Sequence, residues 1–374
     1  MARDFPVISA DSHITEAPNT YVDYIDPLYR ARAPRLVDGG DKVGDIFVID
    51  GMKTPVPMGL VAAAGKPAEE IRMTGVRFVD LHRSGWDPTA RLADQQQDGV
   101  SAEVIYPTVG MQVCNHPDKD YKKACFDAYN RWIAEYCATD PRRLLGTGQT
   151  ALRTPEEGIG DLEAIRALGL RGVMMPGVPS FDEDYDSPAW DPFWEAAADI
   201  GLPLSFHILT SNDNLARPPY RGPRMNSFLG IIRGCQDIIG TLVFGGVFER
   251  HPDLKVVCVE ADAGWAPHWM YRADHAFKRH RTWLTADVSR LPSAYFRDNV
   301  YVTFQDDWVA FRVTDLLNHE RLMWASDHPH SDATWPDSQA VLAEQTADLD
   351  PEVRDDIVWR NCARLYRLPD PRPV

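Results

Sequence analysis

Eight short apolar runs recur along the chain: Val7–Ala10, Ala102–Pro107, Leu144–Gln149, Gly172–Met175, Leu204–Ile208, Val256–Val259, Val300–Phe304 and Met323–Ser326. Most are rich in β-branched or aromatic residues. Their apolarity is near-continuous rather than alternating, the pattern of strands buried on both faces of a parallel sheet. Helical periodicity separates most of them. Tyr121–Ala138 places Ala124, Tyr129, Trp132, Ile133 and Tyr136 on one stripe, and Pro155–Leu168, Pro188–Ile200 and Asn226–Glu249 behave similarly. Eight strands alternating with helices predict an α/β fold, a (β/α)8 TIM barrel, with a doubly wound open sheet as the alternative.

One stretch breaks the alternation. Residues 18–86, between the first and second runs, are rich in Pro and Gly and contain DIFVIDGMKTPVPM, which reads as a small hairpin. A structureless loop of that length is improbable in a compact domain. It is therefore expected to be a lid-like insertion over the barrel mouth, within one domain spanning 1–374. Thr210–Met225, with its three prolines, leaves a strand end and is expected to border the same pocket. A last helix is predicted at Val353–Leu365, ahead of a Pro-rich tail.

Charge narrows the partners. The net charge is −16, from 39 basic and 55 acidic side chains, so no basic face for nucleic acid or an anionic membrane surface is visible. No run approaches the length of a bilayer span, so no membrane contact is expected. Six scattered cysteines (Cys114, Cys125, Cys137, Cys235, Cys258 and Cys362) form no CxxC pair, which disfavours a thiolate metal site and suggests a reducing compartment. The first predicted strand begins near Pro6, leaving no room for a signal peptide. The expectation is a cytoplasmic protein acting on a small molecule.

The chemistry concentrates at strand ends. Asp11 and His13 are two apart on the first run and so share a face. His207 ends the fifth run and Asp327 follows the eighth. Each alone has a structural explanation: a core histidine, a chance D-x-H, an Asp capping a helix. Their coincidence at C-terminal strand ends, where barrels build active sites, points to a shared divalent metal ion.

The stretches ADSHITE, RLADQQQDGVSAEVIYPTVG, GGVFERHPDLKVV, GWAPHWMYRADH, WASDHPHSDATWP and NCARLYRL together resemble the amidohydrolase superfamily. The resemblance is to its amidohydrolase-2 branch, which contains aminocarboxymuconate-semialdehyde decarboxylase and 2,6-dihydroxybenzoate-type decarboxylases, and it covers nearly the whole chain. It implies Asp11, His13, His207 and Asp327 as metal ligands, with Asp327 also at the reacting centre. It implies a divalent cofactor, zinc first with manganese or iron as alternatives, no organic cofactor, and a homo-oligomer. The fourth run, GVMMP, lacks the lysine that bridges two metals in binuclear relatives, so one ion is expected.

The chain departs from that branch in one place. The decarboxylases carry a histidine after the sixth strand, where LKVVCVEADAGW here has Glu260. A carboxylate there suits a general base toward metal-bound water, a further metal contact, or an ion pair with Arg272. The first reading is therefore a metal-dependent hydrolase using Asp327 or Glu260 as base. The alternatives are a non-oxidative decarboxylase of an aromatic or unsaturated acid, in which Asp327 gives carbon its proton, and a non-catalytic ligand-binding barrel. Substrate contacts are expected from Arg272, Trp265, Phe206, Tyr106, His328 and His330, with Met111 and Trp335 nearby. His251 is expected to be exposed, as are His268, His275 and His280.

Overall fold

In the computed structural model, which describes residues 5–211, 222–369 and 371–374, all eight predicted strands form. We number them β1 (Ile8–His13), β2 (Ala102–Tyr106), β3 (Leu144–Gln149), β4 (Gly172–Met175), β5 (Leu204–His207), β6 (Val256–Val259), β7 (Val300–Phe304) and β8 (Leu322–Trp324). They lie side by side in chain order, every pair parallel. Every residue of the eight strands is buried, as their continuous apolarity requires. This is the (β/α)8 barrel.

The ring closes between β8 and β1 through a short seam rather than a regular ladder. Asp327 N–H donates to Asp11 O at 3.0 Å, His13 N–H to His328 O at 2.8 Å, and Ser326 N–H to Ser9 Oγ at 2.8 Å. A bulge in β1 between Ser9 and Ser12 brings their hydroxyls within 2.9 Å of each other, although residues three apart on a regular strand face opposite ways. Behind the seam sits Arg91, fully buried. Its Nε donates to Glu103 Oε2 at 2.6 Å, and its two terminal nitrogens donate to His13 O at 2.7 Å and His328 O at 3.0 Å. One guanidinium thus ties the first strand to the last.

The helices begin where the sequence supplies caps. Asp118 accepts from Asp120 and Tyr121 N–H to start Lys119–Cys137, which buries Tyr121, Ala124, Cys125, Ala128, Tyr129, Ile133 and Tyr136 along one face. Thr154 caps Pro155–Ala167. Pro188–Ile200 divides into a 3-10 turn, Pro188–Trp190, and the helix Asp191–Ile200. Asn226–Glu249 divides into three helices, Asn226–Gly230, Arg233–Phe244 and Val247–Arg250, the last pair broken at Gly246 in the left-handed region. Asn226–Phe244 is, by length and composition, apolar enough to cross a membrane (mean hydropathy 1.3), which corrects the expectation that no segment is. Within it Cys235, Ile238, Ile239, Leu242 and Val243 are buried, although only 33% of the apolar window is. The last helix runs Pro351–Leu365 with one π turn, Asp356–Arg360. Tyr366 beyond it packs where a side chain on Gly172 would collide, and its hydroxyl meets that of Tyr106 at 3.1 Å inside the barrel.

Within 18–86 the expected hairpin is present, Asp45–Val48 against Val56–Pro57. A strand the sequence reading missed, Arg35–Asp38, completes a three-stranded antiparallel sheet. The insertion reaches the loop after β8 through Ala64 N–H to Pro329 O and Ser331 N–H to Leu60 O, both 3.0 Å. Most of Thr210–Met225, expected at the pocket border, lies outside the described residues. All six cysteines are buried and free.

Two predictions follow from buried charge. Arg91→Met leaves Glu103 buried without its cation, and should lower unfolding free energy by roughly 3–5 kcal/mol in a denaturant titration; a loss below about 1 kcal/mol would contradict the clamp. Asp98 ends the helix Pro88–Asp98, and burial pushes its carboxyl up to about 7, with Glu103 and Asp337 adding to the shift against the hydrogen bonds of Ser338. The unfolded chain loses that proton near pH 4. Folded stability contributed by this group is therefore full below pH 4 and falls as pH rises toward 7. Asn can keep both contacts to Ser338. Asp98→Asn should be more stable than wild type at pH 8 by on the order of 2–4 kcal/mol, at about 1.4 kcal/mol per pKa unit, the gap closing toward pH 4. A gap that does not change with pH would refute this.

Candidate metal centre

At the C-terminal rim of the barrel, side chains from β1, β5, the loop after β6 and the loop after β8 converge. The Nε2 atoms of His13 and His207 are 3.1 Å apart. Asp11 Oδ1 stands 3.5 Å from His13 Nε2 and 3.7 Å from His207 Nε2. Glu260 Oε2 stands 3.2 Å from His207 Nε2 and 3.6 Å from His13 Nε2. Asp327 Oδ1 is 3.6 Å from His13 Nε2. Asp11, His13, His207 and Asp327 are all buried.

Backbone geometry aims these groups inward. Glu260 and Asp327, the residues just past β6 and β8, both have φ of 54°, a left-handed conformation that costs a non-glycine residue on the order of 1 kcal/mol or more. Glu260 N–H is held by Thr303 Oγ1 at 3.0 Å, and Asp327 N–H by Asp11 O. Strain held by the neighbouring strand in this way is common where a site overrides local preference.

The donor set fits one divalent ion. His13 Nδ1 faces Pro107 O and His207 Nδ1 faces Ile208 O, each at 3.0 Å. In neutral rings those nitrogens must carry the hydrogens, so both Nε2 lone pairs are bare and point at each other. Among the described residues no hydrogen bond reaches either carboxylate oxygen of Asp11, and Asp327 is eased only by the side chain of Gln305. Bare lone pairs and unpartnered buried carboxylates are costly unless a cation sits among them. Ligand-to-ligand spacings of 3.1–3.7 Å suit ion–ligand bonds near 2.1 Å.

Electrostatics agrees. Burial pushes the carboxyl of Glu260 well above the usual range, with Asp327 adding to it; burial likewise raises Asp327, with Asp11 adding to it. Burial lowers His13, assisted by His330 and His207. For His207 burial opposes charge, but Asp11 and Glu260 outweigh it and raise the ring. With no cation the cluster would retain protons; with one, the carboxylates are free to ionise.

The structure therefore gathers Asp11, His13, His207, Asp327 and Glu260. It does not gather every expected substrate contact. Arg272 lies exposed on the helix Ala266–His280, and Glu260's charged partners among the described residues are the two imidazoles, not Arg272. The expected ion pair and the expected carboxylate grip are both corrected. Phe206 precedes His207 and so faces the other side of the sheet, where its ring packs 5.5 Å from Tyr185. Tyr106 points into the barrel beside the imidazoles, 5.4 Å from the His207 ring, but is fully buried and bonded to Ser205 and Tyr366. Trp265 is half-buried and donates to Ala261 O and Asp262 O. Met111 is buried in a short helix after β2, and Trp335 packs against His82 and His328. His328 is buried, with Nε2 against Ser84 Oγ at 3.0 Å and Asp94 Oδ2 at 3.2 Å. Both partners share that one nitrogen, so the trio is no nucleophilic relay. His330 alone of the flanking pair stands at the site, Nδ1 at 3.1 Å from Asp327 Oδ1. His251, expected to be exposed, is buried against Asp191.

Arg91 escaped the sequence reading. Arg91, Gln95 and Asp98 occupy one helical stripe and are all buried; three polar residues at core spacing were the available signal.

Comparison with known proteins adds the following. The amidohydrolase family model matches residues 79–368. A 2-amino-3-carboxymuconate-6-semialdehyde decarboxylase from Dictyostelium discoideum is 24% identical over 263 residues, 70% of this chain and 71% of the relative. An amidohydrolase from Mycobacterium avium subsp. paratuberculosis superposes with a TM-score of 0.81 at 19% identity, covering 98% of this chain and all (100%) of the other. A 5-carboxyvanillate decarboxylase from Novosphingobium aromaticivorans, complexed with manganese and 4-hydroxy-3-methoxy-5-nitrobenzoic acid, superposes at 0.68 with 19% identity, covering 97% and 96%. These structural likenesses bear on the fold.

If the cluster is a metal centre, protein purified without chelator and given manganese or zinc should retain one ion per chain by elemental analysis, and metal should raise its melting temperature. His207→Ala should retain far less and show a smaller shift. Equal retention by wild type and variant would rule the cluster out.

Proposed function

The chain belongs to the amidohydrolase family, and we propose that within it this protein is a metal-dependent carboxy-lyase, releasing carbon dioxide from a small aromatic or unsaturated acid. Asp11, His13, His207 and Glu260 form one group that would hold the ion, and Asp327 and His330 join His13 and Glu260 in an overlapping one. Manganese is the first choice, in keeping with the manganese-bearing relative; zinc, favoured by the sequence alone, and iron are the alternatives. The observation that carries the reading is the ligand cluster in a chain aligned over 70% of its length with a decarboxylase.

When bound, the ion would polarise the substrate's carboxylate or a neighbouring hydroxyl oxygen. The protein's own residues do the rest. His13 and His207 present fixed lone pairs because backbone carbonyls hold their other nitrogens. Asp327, in the dry floor of the site, is the proton carrier: its carboxyl gives a proton to the substrate carbon as the bond to the departing carboxylate breaks, and that bond's electron pair forms the new C–H bond. Residues 18–86 are the cover that keeps water out during this step, a reading supported by their backbone bonds to the loop after β8.

Hydrolysis, the first reading of the sequence, took Asp327 or Glu260 as a base toward water and was favoured because Glu260 stands where the decarboxylases carry a histidine. The same oxygen of Glu260 faces both imidazoles, at 3.2 and 3.6 Å, which favours a ligand over a free base. With that argument weakened, the decarboxylase relative supports the carboxy-lyase reading.

The test is product analysis. Manganese-loaded protein should evolve carbon dioxide from at least one member of a panel of ortho-hydroxylated benzoic acids and unsaturated semialdehyde acids. Asp327→Asn should slow that release by roughly 10²–10⁴-fold. Turnover of amides or lactones with no carbon dioxide from any acid would overturn the proposal in favour of hydrolysis.

A further inference from the structure

Glu16 lies three residues past His13 and is fully buried. Its hydrogen-bond partners among the described residues are all neutral donors. Val109 N–H donates to Oε2 at 2.9 Å, Gly110 N–H to Oε1 at 3.0 Å, and the Tyr21 hydroxyl to Oε1 at 3.3 Å. A carboxylate buried without a cation is costly, and an apolar side chain of similar size would pack there at less cost. What the carboxylate offers is two oxygens that only accept, and it sets them against two successive backbone N–H groups.

Those N–H groups open the short helix Val109–Val113 that follows β2. The first N–H groups of a helix find no partner within it, and the side chain just ahead commonly supplies one. Thr108 stands in that place and does not: its hydroxyl donates to Ile14 O at 2.6 Å and caps no N–H of the helix. Glu16, reaching over from the end of the first strand, does so instead. The turn is gripped from its other side by Gln149, whose Nε2 donates to Gly110 O at 3.1 Å, and a side chain on Gly110 would collide with Gln149 and with Pro107. Packed this closely, the turn passes on a displacement rather than absorbing it. At its start Pro107 O stands 3.0 Å from His13 Nδ1.

We infer that Glu16 is a positioning residue for the metal centre: by accepting from Val109 and Gly110 it holds the turn after β2 in which Pro107 O meets His13 Nδ1, and so fixes the direction in which the His13 ring faces the ion position. The first strand thus sets its own ligand by way of its neighbour's loop. This rests on the metal-centre reading for the ion, but the placement of the His13 ring needs no ion.

The experiment compares wild type, Glu16→Gln and Glu16→Met. Gln has nearly the same shape, keeps one acceptor and turns a donor toward the other N–H; Met removes both acceptors and suits an apolar core should Gln fold poorly. Leu162→Ala, a core truncation on the helix Pro155–Ala167, is the control for general loosening. Burial raises the Glu16 carboxyl to about 7, so the measurements are made at pH 8, where it is ionised. The manganese dissociation constant, read from the paramagnetic resonance of the free ion, should rise by about 10-fold in Glu16→Gln and up to about 100-fold in Glu16→Met, while Leu162→Ala binds like wild type. Crystal structures of the metal-free proteins should show the contact between Pro107 O and His13 Nδ1 kept in wild type and opened past about 3.5 Å in both Glu16 variants. Glu16 variants that keep the contact or bind manganese as tightly as wild type, or a Leu162→Ala protein that loses as much affinity as they do, would overturn the assignment. Failure of wild type itself to bind manganese would instead defeat the metal-centre reading, leaving the metal-free crystal structures to decide on Glu16.

Discussion

Two imidazole lone pairs and three carboxylates meet in one buried space, and that juxtaposition is costly unless a cation sits inside it or the carboxyls keep their protons. Most of what is unusual about this barrel serves it. The strands deliver the groups, the left-handed backbone at Glu260 and Asp327 turns two of them inward, and carbonyls from the loops after β2 and β5 decide which imidazole nitrogens are exposed. Charge that would be destabilising in an empty pocket becomes binding energy for a divalent ion.

The same region closes the barrel. β1 and β8 are joined chiefly by main-chain bonds of Asp11, His13, Asp327 and His328, so three of the proposed ion ligands, Asp11, His13 and Asp327, also complete the ring. Arg91 supplies the compensation: its guanidinium neutralises Glu103 and caps the carbonyls of His13 and His328 from behind. Fold closure and site geometry are thus one structural problem. A change that loosens the seam is expected to move the ligands as well.

How much of this the sequence disclosed depends on the kind of signal. All eight strands were legible, because burial on both faces forces continuous apolarity, and Asp11, His13, His207 and Asp327 were legible because a barrel gathers C-terminal strand ends. Glu260 was visible as a departure, with a metal contact one of three roles the sequence left open. Phe206 was misjudged for neglecting period two: beside an inward His207 it must face outward. Arg272 was misjudged because nothing in a helix's sequence neighbourhood says which end of it reaches the pocket. The third strand of the insertion, Arg35–Asp38, has no burial pattern to betray it, since its residues are exposed or half-buried.

The most direct measurement is X-ray absorption at the edge of manganese bound to the purified protein. The account predicts a first shell of oxygen and nitrogen donors near 2.1 Å with the outer-shell scattering of two imidazoles, and loss of one imidazole's signature in a His13→Gln variant. A spectrum without imidazole scattering, or one the His13 substitution leaves unchanged, would contradict it.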